Sequence, residues 1–316
     1  MSASRSYKKE TAMSATTHIL DLNFLGFPRA IAAYLIPHSG GNSIALVESG
    51  PGSTLKNLQA GVQSYGYELQ DISDVLLTHI HLDHAGASGA LARYGARIHV
   101  HPNGAPHLVN PEKLLSSAQR IYGDNMDRLW GEFLAVPEEQ ISIPVDGEAI
   151  HIGEHDFIPL DTPGHANHHY AYLLGDLCFS GDIGGVRMPG VQHLRIPMPP
   201  PEIHLESWRA SIAKIRQARP KAMAPTHFGI FYNANWHLQA VEIELDRIES
   251  WLEGVMRSDP DVDEINRQFQ AWVQERSQAD GVAVELQNAY ETANPSWMSA
   301  AGMQRYWKKY RQQAGS

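Results

Sequence analysis

Residues 78–86 read THIHLDHAG, so His79, His81, Asp83 and His84 follow directly on the apolar run Val75-Leu76-Leu77. The apolar run reads as a strand, and the residues after it are imidazoles and a carboxylate. Those donors together suit zinc, iron or manganese, with zinc the usual default. Alternation along a strand would turn His79 and His81 to one face. Asp83 and His84, past the strand end, can then turn toward a second metal. One loop cannot close two sites, so further ligands are expected at other strand ends. His165 follows a strand in DTPGH, Asp182 follows one in CFSGD, and His227 ends one in APTHFG. A carboxylate can bridge two cations, and Asp182 is the best placed to do so.

Outward from this stretch, IAAYLIP (31–37) and SIALVES (43–49) flank HSGGN and read as a hairpin. ESGPGS ends the second strand, and Ser53 can cap a helix carrying Leu55, Leu58 and Val62. DVLLTH (74–79) is a strand, a helix follows at 87–94, and IHVH (98–101) is another strand. Residues 105–135, with Leu114, Leu115, Ile121, Tyr122, Met126 and Trp130, read as a helical insertion of two short helices. Strands resume in ISIPV, DFIPLDTPGH, YAYLL and LCFS. A Gly- and Pro-rich loop (184–201) and a helix (203–218) precede a last strand, KAMAPTH (221–227). Beyond it, Leu238, Val241, Leu245, Ile248 and Leu252 form one stripe at helical spacing. That stripe is a packing face, either within the chain or across a homodimer. The pattern predicts an α/β fold, two packed sheets covered by helices. Residues 1–17 are polar and expected to be disordered, 18–240 form the domain, and 241–316 a C-terminal helical extension.

The chain has 316 residues, 43% hydrophobic and 19% charged, enough for a large core without covalent staples. Its single cysteine, Cys178, permits no disulfide within the chain. The polar N-terminus does not read as a secretory signal, and no apolar run is long enough to span a membrane. A cytoplasmic location follows as the expectation. A formal net charge of −10 disfavours nucleic acid as a partner. The one basic cluster, RYWKKYR (305–311), reads as a solvated helix end. The expected partner is a small-molecule substrate.

THIHLDHAG, TPGH, SGD and PTHFG, in that order, resemble the metallo-β-lactamase superfamily, most strongly its glyoxalase II and lactonase-like members. The resemblance covers roughly residues 18–240. It implies an αββα four-layer sandwich with a two-metal site at one edge. Carried over residue by residue, it implies that His79, His81 and His165 hold one metal. Asp83, His84 and His227 hold the other, and Asp182 bridges them. His169 matches a position that supports the site rather than binding metal. The chain departs from the zinc β-lactamases, which generally lack the bridging aspartate and are exported. It carries His81 where flavodiiron relatives have glutamate, and Gly185 where homoserine-lactone lactonases place a tyrosine.

Two divalent ions about 3.5–4 Å apart lower the pKa of a bridging water and polarise a carbonyl. The expected activity is therefore hydrolysis of a carboxylic ester, thioester or lactone by a metal-bridging hydroxide, with Asp83 orienting the nucleophile or moving a proton. Phosphodiester or phosphotriester hydrolysis on the same metals is an alternative. So is a mononuclear iron persulfide dioxygenase-like reaction, using the residues matching His79, His165 and Asp182. Tyr122, Met126 and Trp130 would line a pocket if the insertion folds over the metals. Arg187 belongs to the loop after the bridging aspartate, and Phe228 follows the last ligand, so both are expected near that pocket.

Overall fold

The computed structural model describes residues 16–39 and 41–312. Most of the segment expected to be disordered (1–15) lies outside the described residues. The chain runs through β1 (His18–Asp21), β2 (Ala32–Pro37), β3 (Ile44–Val47), α1 (Leu55–Ser64) and β4 (Ile72–Leu76). Next come α2 (Leu82–Ala85), α3 (Ser88–Arg93) and β5 (Arg97–His99). Residues 105–135 hold α4 (Ala105–Val109), α5 (Glu112–Tyr122) and α6 (Met126–Trp130), so the insertion has one helix more than expected. Then follow β6 (Ile141–Ser142), β7 (Ile150–Ile152), β8 (His155–Asp161), β9 (Tyr170–Leu174) and β10 (Leu177–Phe179). The chain closes with α7 (Leu205–Ala218), β11 (Ala222–Ala224), α8 (Ala234–Val255), α9 (Val262–Ala279), α10 (Val284–Ala293) and α11 (Ser296–Tyr306).

The strands form two sheets, ordered β1-β2-β3-β4-β5-β6 and β11-β10-β9-β8-β7. Alternation along β2 shows how the layers stack. Ala33 and Leu35 face outward and meet Leu58 and Val62 of α1, with Leu91 of α3. Tyr34 and Ile36 face inward and meet Phe157, Tyr172 and Phe179 of the second sheet. On that sheet's outer face, Cys178 and Met223 pack under Trp208, Ile212 and Ile215 of α7. The order is helix, sheet, sheet, helix, the αββα arrangement expected.

The stripe Leu238–Leu252 is buried within the chain, in the cluster that also holds Trp208 and Phe269. The boundary expected at residue 240 falls inside the continuous helix α8, so the extension begins without a break. Among the described residues no helix is long and apolar enough to cross a membrane.

Direction decides where chemistry can gather. β3, β4 and β5 are mutually parallel. In the second sheet β10 and β11 are parallel, and β8 and β10 both run antiparallel to β9. The C-terminal ends of β8, β10 and β11 therefore share one edge, where such scaffolds place their sites.

Candidate metal centre

β4 ends at Leu76, three residues before His79. The alternation expected to align His79 with His81 therefore does not operate, because both lie in a loop. The loop turns into α2, with His81 at its N-terminal boundary. This geometry still brings His79 Nε2 to 2.9 Å from His81 Nδ1, and His165 Nε2 to 3.0 Å from the same atom. Nearby, His84 Nε2 and His227 Nε2 lie 3.6 and 3.5 Å from Asp83 Oδ2.

Asp182 stands between the two groups. Its Oδ2 is 3.3 Å from His165 Nε2, and its Oδ1 is 3.4 Å from both His84 Nε2 and His227 Nε2. Donors about 2.0–2.2 Å from a tetrahedral ion lie roughly 3.3–3.6 Å from one another, so these spacings match a cation's coordination shell. Among the described residues, His84 Nε2 and Asp182 Oδ1 are buried yet have no hydrogen-bond partner. Polar atoms left that way are costly unless something else satisfies them, and a cation between them would. The residues present thus fit divalent metal.

Hydrogen bonds behind the histidines fix which nitrogen faces inward. His165 Nδ1 donates to Pro197 O (3.0 Å) and His227 Nδ1 donates to Ala30 O (2.7 Å), leaving each Nε2 free to ligate. His84 Nδ1 donates to Glu48 Oε1 (3.0 Å).

Glu48 was not singled out in the sequence, where ESG registers only as a strand break. It is fully buried, with φ +67°. Its carboxylate also accepts from Thr78 Oγ1 (2.5 Å) and Thr226 Oγ1 (2.8 Å). Thr78 Oγ1 in turn lies 3.1 Å from His79 Nδ1. One carboxylate thus orients His84 directly and His79 through a hydroxyl, and holds the threonine preceding His227. The available signal was a glutamate at the buried end of an otherwise apolar strand.

Charge balance in the cluster favours a cation. Burial alone would lower the His84 pKa, but the carboxylates of Asp83, Asp182 and Glu48 outweigh it and push it well above the usual imidazole range. His227 is raised against burial by Asp182 and Asp83. Burial opposes ionisation of Asp182, but His84, His165 and His227 hold it well below the carboxylate range. Burial, reinforced by His84, His81 and His165, depresses His79 strongly, so it stays neutral and able to ligate.

Close packing makes the turns. Gly181 sits at φ +50°, and a Cβ there would lie 2.6 Å from Thr78 Oγ1 and 2.7 Å from His169 Nε2. A Cβ on Gly164 would lie 2.4 Å from the Trp208 Cα. Trp208, fully buried at the start of α7, donates from Nε1 to Ile183 O (2.8 Å) and so pins the turn carrying Asp182. His169 lies behind the ligands, its Nδ1 2.9 Å from Thr162 Oγ1 and its ring stacked 5.2 Å from His79.

A cavity of about 570 Å3 opens on the cluster, and Asp83, His81 and Asp182 reach it. Tyr122 and Trp130 line it. Met126, Arg187 and Phe228 do not. Met126 is taken up by the apolar cluster beneath the insertion. Arg187 is turned toward α8, where its guanidinium donates to Asn233 Oδ1 (2.8 Å) and lies over the Phe231 and Trp236 rings. Phe228 packs between the sheets. Sequence reading also missed His168 in the wall, and the far wall formed by Asn294, Trp297 and Met298 of the C-terminal region.

A family model described as the metallo-beta-lactamase superfamily matches residues 26–227. A metallo-beta-lactamase fold-containing protein of Sulfurisphaera tokodaii is 30% identical over 167 residues, 51% of this chain and 62% of that protein. An atrochrysone carboxyl ACP thioesterase of Aspergillus fumigatus is 29% identical over 179 residues, 56% of this chain and 44% of that protein. The chain thus matches less than two thirds of the length of either curated relative. The crystal structure of a metallo-beta-lactamase family protein from Thermus thermophilus superposes with a TM-score of 0.65 at 20% identity, covering 94% of each chain. At that identity the likeness speaks for the fold.

Proposed function

The chain belongs to the metallo-β-lactamase superfamily, and on that premise we propose that it is a dinuclear metal-dependent hydrolase of a carboxylic ester, thioester or lactone. The observation that carries this reading is Asp182, whose two oxygens face different ligand groups at 3.3 and 3.4 Å. His79, His81 and His165 would hold one ion, Asp83, His84 and His227 the other, with zinc the expected metal. Two such ions supply a water of lowered pKa and a Lewis acid for the carbonyl oxygen.

The chain's own groups do the rest. Asp83 is the ligand carboxylate most open to the cavity, with 21% of its side chain exposed. It is therefore the group that orients the attacking water and accepts its proton. Its carboxyl is lowered to about 2, with burial opposing and His84 and His227 prevailing, so it is ionised at neutral pH and able to ligate. Among the described residues Tyr122 donates only to Met298 Sδ, at 3.4 Å, a weak acceptor that a substrate oxygen could replace. Much of the cavity wall beside the reacting groups is apolar, including Ile80, Leu82 and Trp130. The thioesterase named among the relatives supports carbonyl rather than phosphoryl chemistry.

The test is turnover of an ester, thioester and lactone panel by metal-loaded protein, by chelator-stripped protein and after zinc is restored. Metal-dependent turnover on at least one carbonyl substrate is expected. Protein loaded with two ions and inert on the whole panel would overturn the reading.

A further inference from the structure

The cavity over the metal cluster has two chemically distinct parts. Near the ligands its wall is apolar, built from Ile80, Leu114, Ile121, Leu129 and Trp130, and it is closed on the far side by Met298. Toward solvent it carries Lys113 and Arg128, both exposed. Among the described residues no acid pairs with either cation, and Arg128 donates only to Asn125 Oδ1 at 3.3 Å. Besides Asp83 and Asp182, the acids in the same wall are otherwise engaged: Glu291 pairs with Arg195 at 2.5 Å, and Glu202 lies 3.6 Å from His168. On a chain of net charge −10, two uncommitted cations at one cavity mouth form a local anion-attracting site.

The mouth is also apolar where it meets water. Leu25, 39% exposed, lines it with φ +54°, a conformation that costs a leucine energy and that clusters at ligand-binding sites. Trp297, 43% exposed, stands in the same wall. A volume of about 570 Å3 lies within the range of roughly 300–1,000 Å3 typical of small-molecule pockets.

We propose that the cavity binds an amphiphilic acyl compound, with its scissile carbonyl at the Asp83–Asp182 end, its apolar body against α5 and α6, and an anionic group held by Lys113 and Arg128. This rests on the hydrolase reading for the carbonyl end only. The anionic group is a carboxylate or a phosphate, either of which the two cations can hold.

The binding test uses metal-stripped full-length protein, so neither bound metal nor turnover enters the readout. Trp130 and Trp297 in the wall serve as fluorescence reporters during titration with decanoate, decyl phosphate and decanol. Saturable binding of at least one anion is expected, at least tenfold tighter than decanol, with the tighter anion identifying the group. In the Lys113→Ala, Arg128→Ala double variant the anion's advantage should disappear while decanol binding is retained, which also reports an intact wall. Equal binding of decanol and both anions, or an unchanged anion advantage in the double variant, would overturn the proposal. Absence of carbonyl turnover with anion-selective binding intact would instead refute only the hydrolase reading.

Discussion

At the strand ends three candidate ligands are held by hydrogen bonds to buried groups: His165 by Pro197 O, His227 by Ala30 O, His84 by Glu48. Across the cavity the wall is made by side chains packed on one another. Tyr122 of α5 meets Met298 of α11 across 176 residues, and its ring stands edge-on to Trp297. The first region is polar, buried and closed by hydrogen bonds. The second is apolar, half open and closed by side-chain packing. Chemistry that needs donors at fixed distances sits where backbone fixes them, while recognition sits where packing can vary without disturbing the ligands.

If that division holds, changes at the strand ends should abolish turnover and changes in the wall should alter selectivity. Asp182→Ala should have the largest effect, since it removes the carboxylate shared by both ligand groups. A loss on the order of 10³–10⁴-fold in kcat/KM is expected on whichever carbonyl substrate proves active, as follows from removing several kcal/mol of transition-state stabilisation. Trp208→Ala empties a fully buried position beneath Ile183, and urea denaturation should show a loss of about 3–5 kcal/mol.

His237 tests the support under the Asp182 turn by pH. Its Nε2 donates to Gly184 O at 2.7 Å, and burial lowers its pKa from 6.5 to about 4. The unfolded chain therefore binds the extra proton first. The contribution is complete above pH 6.5 and is lost as pH falls toward about 4, by at most about 3 kcal/mol. Urea midpoints at several pH values should show a shallower acid slope in His237→Gln. An unchanged slope would assign the acid sensitivity to other groups.

Glu48→Gln should leave the fold in place but lower metal affinity by about 10–100-fold, measured by competition with a chelator. The smallest effect is expected in the wall. Trp297→Ala should change the order of preference among acyl groups in the substrate panel while changing metal content not at all.

The same contrast explains what could be read in advance. The candidate ligands stood out because imidazoles and carboxylates at strand ends are rare and chemically specific, and Asp182 because it closes CFSGD at the end of a strand. The layers were legible from the alternation in AAYLIP and the spacing in α8. Glu48 was not, because a single acid at the end of an apolar strand looks like a turn until the strand is seen buried. Arg187 and Phe228 are next to site residues in sequence, but their side chains leave on the opposite side, toward α8 and the inter-sheet core. His79 and His81 meet for a reason other than the one the strand period suggested, since β4 stops at Leu76 and a loop makes the approach. The far cavity wall left no local signal, because Trp297 and Met298 acquire their role only through packing against a helix far earlier in the chain.

The most direct test of the two-ion centre is metal content per chain by plasma mass spectrometry, comparing the native protein with Asp182→Ala. About two divalent ions in the native protein, falling to one or fewer in the variant, is the predicted result. A single ion per chain, bound equally well without Asp182, would contradict it.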